Sequence, residues 1–251
     1  METTGRLDRG DGVELAWAKT EGRGPTVVFL PGYGSDMTGD KATALAAFAD
    51  ERGIAMLRLD YSGHGDSGGD FLEGTIGIWA ADAGAVIDRL TTGPLILVGS
   101  SMGGWIALLT ALARPGRVAA LVGIAGAPDF TQRLMLDRLT DAQRTALMRD
   151  GVIYRDSQYG PPTPLTRKLI EDGPRNFVLT GSIPLSCPVR LLHGQRDPDV
   201  PWQLSLQVAE QLQSDDVQVI LVKDGDHRLS RPQDLALLRR TVAALLGQDG
   251  A

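Results

Sequence analysis

The stretch at 94–105, Pro-Leu-Ile-Leu-Val-Gly-Ser-Ser-Met-Gly-Gly-Trp, constrains this chain more than any other. Four apolar residues, Leu95 to Val98, run into Gly99-Ser100-Ser101-Met102-Gly103. Apolar residues at helical spacing follow at once, at Trp105, Ile106, Leu108, Leu109 and Leu112. Strand, sharp turn and helix, with a serine on the turn, make a Gly-x-Ser-x-Gly elbow. Such a turn lifts a hydroxyl clear of a sheet. Its glycines let strand and helix approach without Cβ collisions. The helix that starts there aims free N–H groups and its positive dipole end at the reacting centre. Ser101 is therefore the expected nucleophile. A second match, Gly65-Asp66-Ser67-Gly68-Gly69, is not fed directly by an apolar strand and opens no periodic helix, so Ser67 reads as a loop residue.

The rest of the chain supplies a sheet for the elbow. Residues 13–19 alternate apolar and polar, as an antiparallel edge strand does, and 21–25 read as a turn. Buried strands are expected at 26–30, 54–59, 95–98, 118–124, 189–192 and 217–222, and helices at 41–52, 75–90, 202–212 and 233–246. Strand and helix alternate, which predicts an α/β fold with a mostly parallel, doubly wound sheet. The alternation stops at 127–185. Leu134, Leu136, Leu139, Leu147 and Met148 suggest one or two helices, a stretch with three prolines covers 154–164, and a further helical piece lies at 165–171. This is too long for a simple loop. The expected organisation is a core of 1–126 and 186–251 carrying a small helical cap or lid at 127–185.

A serine hydroxyl needs a base, and the chain has three histidines. In an elbow enzyme the order is serine, acid, histidine. Only His227, in a polar loop after the last strand, leaves room for an acid in between. His193 and His64 read as rings that hydrogen-bond loop backbone near the site. The acid should follow the strand at 189–192, where Asp197 and Asp199 compete. Asp197 sits deeper in the loop, before Pro198, and is the expected choice; its role is to fix the imidazole tautomer. Asp224 and Asp226 are too close to His227 in sequence to face it properly. An oxyanion hole needs two N–H donors, expected from Met102, which follows the nucleophile, and from Tyr33 in the loop after 26–30.

Composition excludes other classes. The net charge of −6 argues against nucleic acid as a partner. The one cysteine, Cys187, rules out an internal disulfide and a cysteine-based zinc site, and its flanks suggest a structural thiol. No metal and no organic cofactor is implied. No run reaches membrane-spanning length, and the N-terminal residues carry no signal core or transit pattern, so a cytoplasmic protein is expected.

The whole chain resembles the α/β-hydrolase superfamily. Within it the resemblance is to the mitochondrial palmitoyl-protein thioesterases and acyl-glucuronide esterases. The matching stretches are Phe29-Leu30-Pro31-Gly32-Tyr33, Asp60-Tyr61-Ser62-Gly63, 96–105, Ala113-Arg114-Pro115, 187–194, Val200-Pro201-Trp202 and Asp226-His227-Arg228. The least likeness lies at 130–184. The resemblance implies the α/β-hydrolase fold, a triad of Ser101, Asp197 and His227, and hydrolysis of carboxylic esters or thioesters through an acyl-enzyme. The substrate would be a small-molecule ester or an S-acylated protein. A peptidase or C–C hydrolase on the same fold, or a ligand-binding module with little turnover, stays open at this point, as do acyl chain length and oligomeric state.

Overall fold

Two antiparallel strands open the chain in the computed structural model, which describes residues 1–157 and 160–247. They are β1 (Glu2–Asp8) and β2 (Glu14–Thr20). Next come β3 (Arg23–Leu30), α1 (Asp40–Arg52), β4 (Ile54–Leu59), α2 (Ile76–Leu90), β5 (Leu95–Ser100), α3 (Met102–Ala113) and β6 (Val118–Ile124). An insertion follows with α4 (Asp141–Asp150), β7 (Val152–Ser157), β8 (Gly160–Thr166) and α5 (Arg167–Asp172). The core closes with β9 (Val189–Gly194), α6 (Gln203–Gln211), β10 (Val217–Val222) and α7 (Pro232–Leu245). One sheet runs in the order β1-β2-β4-β3-β5-β6-β9-β10, and from β4 to β10 every pairing is parallel.

Parallel strands covered on both faces are apolar along their whole length. In β3, Val27 and Phe29 pack with Ala42, Leu45 and Phe48 of α1 and with Leu238 and Val242 of α7. Their neighbours Val28 and Leu30 face the opposite layer, with Trp79 and Val86 of α2 and Trp105 and Ile106 of α3. The two-residue period of the strand thus feeds two helix layers at once. Fully burying each such side chain contributes about 1.5–3 kcal/mol.

Three expectations change. The 13–19 strand is not the edge, because β1 pairs outside it from Glu2↔Thr20 to Asp8↔Glu14. Glu-Thr-Thr-Gly-Arg-Leu-Asp holds one apolar residue, so partner hydrogen bonds rather than burial make it a strand. The 21–25 turn is shorter than read, since β3 begins at Arg23; its register with β4 shifts between Arg23 and Val27, the kind of break that tolerates Pro25. The insertion is not simply helical. The proline-rich 154–164 stretch lies largely in an antiparallel hairpin, β7 with β8, pairing Val152↔Thr166 and Tyr154↔Pro164. A two-stranded ribbon leaves outward N–H positions that proline can fill. Residues 158 and 159 of that stretch lie outside the described residues.

The insertion is tied to the core at its base. Buried Asp129 accepts the amides of Val178 (2.9 Å) and Leu179 (3.0 Å), so one carboxylate joins both of its ends. Trp105 Nε1 donates to the Asn176 carbonyl at 2.9 Å, and the Gly77 amide donates to Asp172 at 2.8 Å.

The elbow itself demands its glycines. A Cβ on Gly99 would overlap the Gly103 carbonyl, and a Cβ on Gly103 would overlap the Leu30 carbonyl of β3. Backbone cannot swing aside as a side chain can. Gly103→Ala is therefore expected to cost about 3 kcal/mol or more, the top of the overpacking range. Thermal unfolding should show Tm lower by at least roughly 6 °C for a domain of this size. An unchanged Tm would mean that the elbow has slack.

Candidate active site

Ser101 stands between β5 and α3 at φ 54°, ψ −118°, a conformation that costs a non-glycine residue about 1–3 kcal/mol. Its surroundings hold it there. The Ser101 amide donates to the Ile124 carbonyl of β6 at 2.9 Å, and the Ala127 amide donates to the Ser101 carbonyl at 3.1 Å. The neighbouring loops bring in the partners. His227, after β10, has Nε2 3.1 Å from Ser101 Oγ. Its Nδ1 lies 2.7 Å from Asp197 Oδ2, after β9. A carboxylate can only accept, so Nδ1 carries the proton. Nε2 is then bare and accepts the serine O–H.

The Asp197 side chain is fully buried and four N–H groups converge on it. Oδ1 accepts the amides of Asp199 and Val200, each at 2.8 Å; Oδ2 accepts from His227 and, at 3.2 Å, from His193 Nε2. Burial pushes this carboxyl up. The hydrogen bonds from His193 and His227, the charge of His227 and the Val200 amide more than reverse it, holding the group well below the usual carboxylate range. His193 does meet loop backbone, through Nε2 to the Val200 carbonyl at 3.1 Å. Both Nε2 partners are acceptors, so that nitrogen is protonated and Ser205 Oγ donates to Nδ1 at 2.7 Å. The contact of His193 with the acid had no sequence signal beyond its four-residue spacing from Asp197.

The other candidates have separate work. Ser67 Oγ donates to the Asp60 carbonyl at 2.7 Å and accepts the Ala16 amide at 2.8 Å, far from this cluster in function. Asp224 pairs with Arg231 (2.7 Å), and Asp226 accepts the Leu229 amide (3.0 Å). Asp199 lines the site through its loop, but its amide serves Asp197. Burial pushes the half-buried Cys187 thiol up, away from thiolate chemistry. Among the described residues Asp197, Asp199 and His227 bring three metal-capable atoms within 4.8 Å of one another. The Asp197 and His227 atoms are already spent on the hydrogen bonds above.

Tyr33 and Met102 flank the serine. Among the described residues neither amide donates to any other group. The Tyr33 hydroxyl donates to the Pro164 carbonyl of β8 at 2.6 Å, and its ring packs edge-on against Phe71 (5.0 Å), Trp79 (5.6 Å) and Phe130 (5.9 Å). Burial pushes its phenol well above the ordinary value. The loop after β3 is thereby fastened to the insertion.

Two cavities meet at Ser101 and His227. One, of about 440 Å³, runs under the insertion and is walled by Met102, Phe130, Leu134, Met135 and Leu165, with Arg138 and Arg155 also in its lining. The other, of about 480 Å³, is polar, with Ser35, Thr38, Lys41, Arg228 and Ser230. Burial and the nearby Arg228 pull the Lys41 ammonium down to about 8. Apart from Met102, none of these wall residues was marked out as a site residue by the sequence, since cavity walls carry no motif.

Residues 27–237 match the Alpha/beta hydrolase family. The chain is 41% identical over 242 residues to human palmitoyl-protein thioesterase ABHD10, mitochondrial, covering 96% of this chain and 79% of that protein. With the mouse protein of that name the identity is 42% over 244 residues, covering 96% and 81%. A crystal structure of an Agrobacterium vitis protein superposes with TM-score 0.94 at 43% identity, over 98% of this chain and 99% of that one. Mouse alpha/beta hydrolase domain-containing protein 10 superposes with TM-score 0.90 at 39% identity, over 98% and 99%. The expected fold stands. The expected cytoplasmic location does not, because relatives similar over nearly the whole chain are named mitochondrial. Among the described residues no helix is long and apolar enough to cross a membrane.

Proposed function

Since the chain belongs to the alpha/beta hydrolase family, we propose that it is a serine hydrolase cleaving carboxylic esters or thioesters, of the palmitoyl-protein thioesterase or acyl-glucuronide esterase kind. The observation that carries this is the hydrogen-bond chain Ser101–His227–Asp197, with its tautomer fixed, beside two amides that have no partner among the described residues.

Ser101 Oγ attacks the acyl carbonyl as His227 Nε2 takes its proton. The Tyr33 and Met102 amides hold the oxygen that becomes negative; losing one such donor typically costs about 2.7–4 kcal/mol of barrier. The imidazolium formed lies against the Asp197 carboxylate. His227 then protonates the departing oxygen or sulfur, leaving Ser101 acylated. In the second half His227 takes a proton from water, the hydroxide attacks the acyl-enzyme, and the proton returns to Ser101 Oγ. The cavity under the insertion, with Phe130, Leu134, Met135 and Leu165 on its walls, takes the acyl chain, and the cavity beside Lys41 takes the leaving group. In this reading residues 127–185 form a cap over the acyl pocket.

The test is a matched panel of p-nitrophenyl esters of graded chain length, acyl-CoAs, S-palmitoylated peptides and acyl glucuronides. Comparing kcat/KM across it separates thioesterase from oxyester preference. Turnover on none of them, or failure of a fluorophosphonate to label Ser101, would sink the proposal.

A further inference from the structure

Behind the proposed oxyanion loop lies His64, 97% buried and unused by the reaction above. Its Nδ1 is 3.2 Å from the Ser62 carbonyl, which can only accept, so Nδ1 carries the proton. Its Nε2 accepts the Gly34 amide at 3.2 Å. The two contacts specify one neutral tautomer. Burial pulls this imidazole below its ordinary pKa, against the Ser62 contact and the charges of Asp82 and Asp36, which keeps the Nε2 lone pair in place. Phe71 (4.8 Å), Trp79 (5.1 Å) and Tyr61 (5.6 Å) fix the ring plane.

Gly34 directly follows Tyr33 and has φ 66°. Its N–H belongs to the peptide that leaves Tyr33, so the bond to His64 sets the ψ angle of Tyr33. The Ser35 amide donates to the Gly32 carbonyl at 3.1 Å and closes the turn. The Gly34 amide, turned backward onto His64, is unavailable to the substrate, while the Tyr33 amide has no partner among the described residues. We propose that His64 is a positioning residue for acyl transfer: by holding the Gly34 amide it fixes the turn that the Ser35-to-Gly32 bond closes, and the Gly32–Tyr33 peptide held in that turn aims the Tyr33 N–H at the oxyanion. This rests on the serine-hydrolase reading above and adds to it a residue outside the triad.

Three variants test it. In His64→Phe the ring packing survives and both hydrogen bonds go. In His64→Asn only the Ser62 contact can be kept. In His64→Gln a carbonyl oxygen can reach the Gly34 amide. Misplacing an oxyanion donor should forfeit much of the 10²–10³-fold that removing one costs. H64F is therefore expected to lose about 10- to 100-fold in kcat with KM little changed. A trifluoromethyl ketone, whose hemiketal oxygen occupies the oxyanion hole, should lose affinity by the same factor. H64Q should recover most of both. If H64F does not fold, H64N against H64Q gives the same contrast. Unchanged kcat and analogue affinity in H64F overturns the proposal, and so does an equal loss in H64F and H64Q. A wild-type enzyme that turns over no ester removes the underlying reading instead, so the two failures are told apart.

Discussion

Ser101→Ala should lower kcat by a factor on the order of 10⁶, the scale on which removing a triad serine acts. That corresponds to about 8 kcal/mol of barrier. Fold and stability should hardly change. The alanine keeps the backbone bonds of residue 101 to Ile124 and Ala127 and loses only the Oγ contact with His227. Steady-state kinetics on the best ester of the panel, together with a thermal melt, checks both halves. A variant that keeps more than a hundredth of the wild-type rate would mean that another group attacks the acyl carbon. Ser67 could not be that group without giving up its bonds to Asp60 and Ala16.

Asp197→Asn should cost about 10⁴-fold in kcat. The site has no good place for an amide. If the NH₂ group faces the imidazoles, His227 Nδ1 must become an acceptor, and Nε2 then bears the proton and cannot take one from Ser101. If it faces the loop, it points at the amides of Asp199 and Val200, donor against donor. Either arrangement leaves buried donors unpaired, at about 1–3 kcal/mol of stability. The variant also has a pH signature. The folded-state pKa of Asp197 lies below its unfolded value of about 3.9, so the carboxylate's contribution is fully present above that pH. It is lost as the pH falls toward the folded value. Urea unfolding should therefore show the gap between wild type and D197N widest near neutrality and shrinking below about pH 4. A gap that widens in acid would contradict the assignment of the low pKa to this group.

The sequence was most readable where chemistry and local geometry coincide. A serine between glycines, with an apolar strand before it and a periodic helix after it, forces one local structure, and the elbow at 99–103 is that structure. Strands β4 to β6 and β9 announced themselves as apolar runs because both their faces are largely buried, and β10 did so although, at the edge of the sheet, it is only partly covered. Strand β1 did not, because pairing with β2 makes it a strand and its residues are mostly polar. The β7–β8 hairpin hid behind its prolines, which argue against a strand except at an edge, and in a two-stranded ribbon both strands are edges. The contacts of His193 with Asp197 and of His64 with Gly34 depend on how separate turns come to lie beside each other. No spacing in the chain encodes that.

One carboxylate, Asp129, receives the amides of Val178 and Leu179, so the polypeptide leaves the core and returns to it at neighbouring points. For such a closed excursion, doubling the length costs only about 0.6 kcal/mol of closure entropy. Closure entropy therefore sets little limit on the segment's length, and a replacement has to supply the contacts that Pro164, Asp172 and Asn176 make with Tyr33, Gly77 and Trp105. Descendants of one scaffold can diverge in what they accept while the machinery beneath is inherited unchanged. Transplanting residues 130–177 between relatives is the corresponding experiment in protein engineering.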